Sequence, residues 1–134
     1  MEVAMHTQEI KEQNLIGIVK TSGIVLIDWW ASWCGPCRAF APVYESVAAK
    51  HPDIVFGKVD TEAEPALASA FRIRSIPTLM VFRDGVLLFA EAGMLPASAL
   101  EELIAKVKEL DMSAIGKDAE TREEAPPLTA ARGG

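Results

Sequence analysis

Apolar residues recur along this chain in two rhythms that take turns: short β-branched runs, and longer stretches spaced every three or four positions. The run Ile24-Val25-Leu26-Ile27-Asp28-Trp29-Trp30 is bounded by Ser22-Gly23 and by a loop carrying cysteines, and it reads as a buried central strand interrupted by one aspartate. From Cys37 onward, Phe40, Val43, Tyr44 and Val47 keep helical spacing; Pro42 is expected to kink this helix, and His51-Pro52 to end it. A second strand, Ile54 to Asp60, leads into a short helix with Leu67 and Phe71 on one face. After Ile76-Pro77, the runs Thr78 to Arg83 and Val86 to Glu91 are joined by Asp84-Gly85, a strong hairpin signal. A last helix sets Leu100, Leu103, Ile104 and Val107 in one stripe, with Pro96 near its start and Lys106 and Lys108 towards its end. Ahead of the first strand, Leu15, Ile16 and Val19 suggest a helix, preceded by a short strand around Met5 to Ile10.

Strands alternating with helices and closing on a hairpin imply an α/β fold, a mixed and largely parallel sheet covered by helices on both faces. Catalytic groups would then stand at the carboxyl end of a central strand. At 134 residues the chain holds one core, which we assign to residues 1–112. In residues 113–134 only Ile115 and Leu128 are large and apolar, so this stretch is expected to be a disordered or loosely docked tail. No internal repeat is present.

Half the residues are hydrophobic and about a quarter charged, as in a domain that folds unaided. The net charge of −6 argues against nucleic acid or an anionic membrane surface as the main partner and leaves proteins or small polar molecules. No apolar run approaches the roughly 18 residues needed to span a bilayer. The start, Met1-Glu2-Val3, lacks a basic segment followed by an apolar one, so the cytoplasm is the expected compartment. Nothing in the expected fold requires oligomerisation, and a monomer is expected.

The two cysteines, Cys34 and Cys37, are three positions apart, too close for a bridge between them to staple the fold. Their value must be chemical. Trp33-Cys34-Gly35-Pro36-Cys37 lies between a strand and a helix, which puts Cys34 at a helix N-terminus, where unpaired N–H groups and the helix dipole stabilise a thiolate. Cys34 is thus the expected attacking sulfur. Cys37, one turn on, is placed to resolve a mixed disulfide. Gly35 and Pro36 shape the turn, and Trp33 offers a flat apolar surface beside the sulfur. A zinc site is the competing reading of the spacing, but zinc needs about four ligands, and only His6 and His51 are available besides. Two inert core cysteines are a poorer fit still, since a strand-to-helix loop is an exposed place for them.

Asp28-Trp29-Trp30-Ala31-Ser32-Trp33-Cys34-Gly35-Pro36-Cys37 resembles the active-site segment of the thioredoxin family. The resemblance covers about residues 4–111: Ile76-Pro77-Thr78, the Asp84-Gly85 hairpin, Gly93 and the Lys58-Val59-Asp60 strand end follow in the family's order. It implies the thioredoxin fold and a protein-disulfide reductase that cycles Cys34 and Cys37 between dithiol and disulfide. It further implies no bound cofactor, disulfide-containing proteins as substrates, and electrons from an NADPH-dependent thioredoxin reductase. Trp29 and Leu15 stand where phenylalanine is usual, and Met94 follows Gly93 where smaller residues are frequent; these departures bear on substrate preference rather than chemistry.

A carboxylate in an apolar strand is costly unless hydrogen-bonded or protonated. Taken alone, Asp28 reads as a structural aspartate bonded to neighbouring backbone or hydroxyl groups. The resemblance implies instead that it lies beneath Cys37 and exchanges protons with it, with a pKa raised by burial. Lys58, on the neighbouring strand, is either a modulator of that pKa or a solvated strand-end lysine. The Ile76–Pro77 bond would be trans by frequency alone; the resemblance implies cis, with the Ile76 backbone left to bond an extended substrate. Trp33, Gly35, Pro36, Ile76, Pro77, Ala92 and Gly93 would then form one apolar patch, with Trp30 in support. A disulfide oxidase or isomerase of the same fold is the nearest rival, but those usually carry histidine beside the second cysteine. A non-catalytic interaction module is another, against which stand both thiols and Asp28.

Overall fold

The run at Ile24–Trp30 forms the central strand β2, and the remaining elements are placed by what they pair with or cover. In the computed structural model, which describes residues 5–21 and 23–113, β2 pairs in parallel with β3 (Val55–Asp60) and antiparallel with β4 (Thr78–Arg83). The two-residue β1 (Gln8–Glu9) extends the sheet beyond β3, and β5 (Val86–Ala92) extends it beyond β4, giving the order β1-β3-β2-β4-β5. Only β4 runs against the other strands, so the sheet is mixed and largely parallel in direction, as its sequence pattern implies. The expected tail falls, apart from Ser113, outside the described residues.

Period-two alternation along β2 divides the core. Ile24 and Leu26 face α2 (Gly35–Ala49) and α4 (Ala97–Glu109), joining Phe40, Tyr44, Val47, Leu100, Ile104 and Val107. Val25, Ile27 and Trp29 face the other way, towards Leu15 and Val19 of α1 (Glu12–Lys20) and Leu67 of α3 (Pro65–Ala70). The same alternation puts Asp28 on the α2 side. Helix α2 begins at Gly35, directly after Cys34, and Pro42 does not abolish it. Some apolar positions differ from expectation. Ile16 is 55% exposed, since the stripe on α1 passes through Leu15 and Val19. Phe71 lies just past α3 as its C-cap and rests against Trp29, with ring centroids 5.3 Å apart.

The chain reversals follow from local chemistry. Asp84 and Gly85 have φ of 53° and 85°, the pair of positive values a two-residue hairpin requires. Helix α3 ends in a Schellman turn: the Ile73 N–H donates to the Ala68 carbonyl and the Arg72 N–H to that of Ser69. Arg72 occupies the left-handed position of this turn, φ 56°, where glycine is the usual residue. The far end of α4 is closed by Arg83 of β4, whose Nη1 donates to the carbonyls of Val107, Lys108 and Leu110 at 2.7, 3.2 and 3.3 Å. The basic residues expected to serve that end, Lys106 and Lys108, are thus joined by a cap from the sheet.

Gly57 of β3 lies where a Cβ would run into the buried side chain of Ile10. Gly57→Ala is therefore expected to destabilise the protein by about 1–3 kcal/mol through overpacking, read as a lowered urea midpoint with an unchanged slope.

Candidate active site

Cys34 sits at the carboxyl end of the central strand because the loop from β2 hands the chain directly to α2. It is the N-cap of α2, with extended backbone at φ −88° and ψ 115°. Its Sγ accepts a hydrogen bond from the Cys37 N–H at 3.1 Å, the place a serine or aspartate oxygen takes at other helix starts. Pro36 falls in the first turn, where its missing N–H costs nothing. The two sulfurs are joined in a disulfide, with Cα atoms 5.2 Å apart. In this oxidised form Cys34 and Cys37 are only 4% and 2% exposed, packed with Ala31 and against Trp30 and Ile76. In the disulfide state their neighbours thus cover both sulfurs.

One wall of the site is Trp33, 63% exposed, whose indole N–H donates to the Glu62 carboxylate. Glu62 is held by an Asx turn: Asp60 Oδ1 accepts the N–H groups of Glu62 and Ala63 at 2.9 and 3.3 Å. Thr61 ties the same turn to the Trp30 carbonyl through its N–H and its hydroxyl, at 2.9 and 3.0 Å. Reading the sequence missed Thr61 and Glu62; Asp60 closing its strand was the available signal. The opposite wall is Ile76, whose carbonyl oxygen lies 3.7 Å from Cys34 Sγ. The Ile76–Pro77 bond is cis. The Gly93 N–H donates to the Pro77 carbonyl at 2.7 Å, and Ala92 pairs with Thr78, so the end of β5 stands beside Pro77. Trp33, Gly35, Pro36, Ala92 and Gly93 are exposed and Ile76 half-buried, whereas Pro77 is buried beneath them.

Asp28 is fully buried, and neither carboxylate oxygen has a hydrogen-bond partner among the described protein groups. The reading of Asp28 as bonded to nearby backbone or hydroxyls is thereby corrected: its β2 neighbours are apolar, and α2 covers it. Burial raises its pKa to about 7, while the positive charge of Lys58, its register neighbour on β3, pulls in the opposite direction. Lys58 is not simply solvated, because its ammonium lies 4.9 Å from the centroid of the Trp30 ring. Tyr44, from α2, shares the region: its hydroxyl donates to the Gly57 carbonyl at 2.9 Å, and burial and the Asp28 charge hold its pKa well above the usual phenol value.

Among the described residues no group of three or more His, Cys, Asp or Glu could hold a metal ion, and no helix is long and apolar enough to cross a membrane. The family model described as Thioredoxin matches residues 6–106. A Streptomyces coelicolor protein bearing the name thioredoxin 2 is 52% identical over 111 residues, 83% of either chain. Thioredoxin C-3 of Corynebacterium nephridii is 43% identical over 95 residues, covering 70% of this chain and 66% of its own. Among solved structures, a mutant thioredoxin from Halobacterium salinarum superposes with a TM-score of 0.71 at 31% identity, covering 82% of this chain and 98% of its own. With a disulfide at the Cys-x-x-Cys position and this fold around it, the chain belongs to the thioredoxin family of dithiol–disulfide oxidoreductases.

Proposed function

We propose that the protein reduces disulfides in other proteins by a two-step exchange in which Cys34 attacks and Cys37 resolves. The observation that carries this reading is the bond from the Cys37 N–H to Cys34 Sγ at the start of α2, which favours negative charge on that sulfur. The Cys34 thiolate attacks one sulfur of the substrate disulfide; a Cys34–substrate bond forms, and the other substrate sulfur leaves as a thiolate and takes up a proton. Asp28 accepts the Cys37 proton. The Cys37 thiolate then attacks Cys34 Sγ, closing the internal disulfide and expelling the second substrate thiolate. The substrate gains two electrons and the cysteine pair loses two.

Lys58 steadies the charge on Asp28 while stacked on Trp30. The substrate lies against Trp33, Gly35, Pro36, Ala92 and Gly93 and runs along the backbone at Ile76 and Pro77, contacts that ask little of its side chains. An NADPH-dependent thioredoxin reductase returns the pair to the dithiol, and the protein works as a cytoplasmic monomer. The working domain is residues 1–112; the Arg83 bond to the Leu110 carbonyl requires that it reach at least that far. Deleting residues 113–134 is expected to change stability by less than about 1 kcal/mol, checked by urea titration.

The test is reduction of a disulfide-linked protein, followed as thiol release, with NADPH and thioredoxin reductase present or omitted. Turnover only with both present supports the assignment. Failure of the fully reduced protein to release any thiol in a single turnover would overturn it.

A further inference from the structure

Four arginines lie among the described residues, and two of them are committed to main-chain carbonyls: Arg38 to Ser32, and Arg83 to the end of α4. The side chains of Arg72 and Arg74 are exposed and make no ion pair or hydrogen bond among the described residues. They flank Ile73 in the loop leading to Ile76, whose carbonyl touches the Cys34 sulfur. Two residues of chain span at most about 7 Å, so Arg74 is held close to that contact. Among the described residues, the other cations without a partner lie elsewhere. Lys20, Lys50 and Lys106 stand at or near the C-terminal ends of α1, α2 and α4, at the end of the sheet away from the cysteines.

The carboxylates at the cysteine end are mostly engaged. Asp60 holds its turn, Glu62 takes the Trp33 indole, and Glu64 accepts the Glu12 N–H at 3.2 Å. Glu91 on β5 is exposed, on the side of Ala92. Arg72 also keeps a left-handed backbone that glycine would adopt without strain, so the guanidinium is present against the local conformational preference. On a protein of net charge −6, two free guanidinium groups on the loop that forms one wall of the groove make a local exception to the field.

We propose that Arg72 and Arg74 are specificity-determining residues, recognising a carboxylate side chain in the partner segment that crosses Ile76 on its way to Cys34. The guanidinium fork matches a carboxylate in two parallel hydrogen bonds, and at an exposed rim its effect falls mainly on the rate of encounter. This rests on the reading that substrate docks against the Ile76 loop.

The experiment uses synthetic disulfide peptides identical except for two positions flanking the cysteine, filled with Glu, Gln, Lys or phosphoserine. Their reduction by the full dithiol protein is followed in single turnover at low and high ionic strength. The Glu peptide is expected to react about tenfold faster than the Gln peptide at low salt, the gap narrowing as salt rises. In the double variant R72G/R74Q that ratio is expected to fall to about one. An unchanged Glu/Gln ratio in the variant overturns the proposal, as does preference for the Lys peptide. A phosphoserine peptide favoured well above the Glu peptide overturns the assignment to carboxylate. Failure of the wild-type protein to reduce the Gln peptide counts instead against the reductase reading.

Discussion

Replacing Cys37 with serine is expected to abolish multiple turnover, by roughly 10³-fold or more, while leaving the first bond-forming step intact. Attack on a substrate disulfide needs only the Cys34 thiolate, and the N–H that supports it belongs to the backbone of residue 37, so it survives the substitution. Without a second thiol the Cys34–substrate bond has no internal attacker. The variant should therefore accumulate stable mixed disulfides, visible as mass adducts that an added small thiol removes. Cys34→Ser should lose turnover to the same extent yet form no adducts. Alkylation of the reduced wild-type protein should label Cys34 first. Adducts formed through Cys37 would reverse the two roles, and an absence of adducts from both variants would remove the exchange mechanism.

Asp28→Asn should make the protein more stable and slower at once, and pH should separate the two effects. The carboxyl ionises near 3.8 in an unfolded chain and at about 7 in the folded protein, because burial outweighs the pull of Lys58. Below about pH 4 it is protonated in both states and carries no charge penalty. As pH rises towards 7 the unfolded chain releases a proton that the folded protein keeps, so stability falls. Above about pH 7 the buried charge destabilises the fold fully, on the order of 4 kcal/mol. The amide removes that term and, like the protonated carboxyl it replaces, stays without partners, so the two neutral groups differ little. The variant should thus exceed the wild type by on the order of 4 kcal/mol at pH 8 and lose the advantage at pH 4, as read from urea titrations at both values. Its resolution step should slow by about 10²-fold near neutrality and lose the inflection near pH 7. A variant less stable at both pH values with unchanged kinetics would show that Asp28 is purely structural.

Much of the site could be read from the chain because its chemistry is local. A nucleophile and its resolving partner one helical turn apart, with a proline in the first turn, are specified within a few residues, and no distant contact is needed to recognise them. The strands and helices were legible for the same reason, since period-two and period-3.6 patterns each report on a single element. The differences arose at element ends and on faces, where neighbours decide. Phe71 keeps helical spacing with Leu67 yet lies beyond α3, because its ring is taken up by Trp29 from the sheet.

The chain by itself determined which residues could exchange electrons and which segments would be strand or helix, because spacing of three or four residues sets those properties. Only the tertiary structure decided the environment that gives them their function. It brought the Ile76 carbonyl to the Cys34 sulfur across 42 positions and Glu62 to the Trp33 indole across 29. It closed α4 with an arginine from β4 and wrapped Asp28 so completely that its pKa rises to about 7. Desolvation and long-range hydrogen bonds depend on the sum of everything packed around a group, and no single stretch of sequence contains that sum.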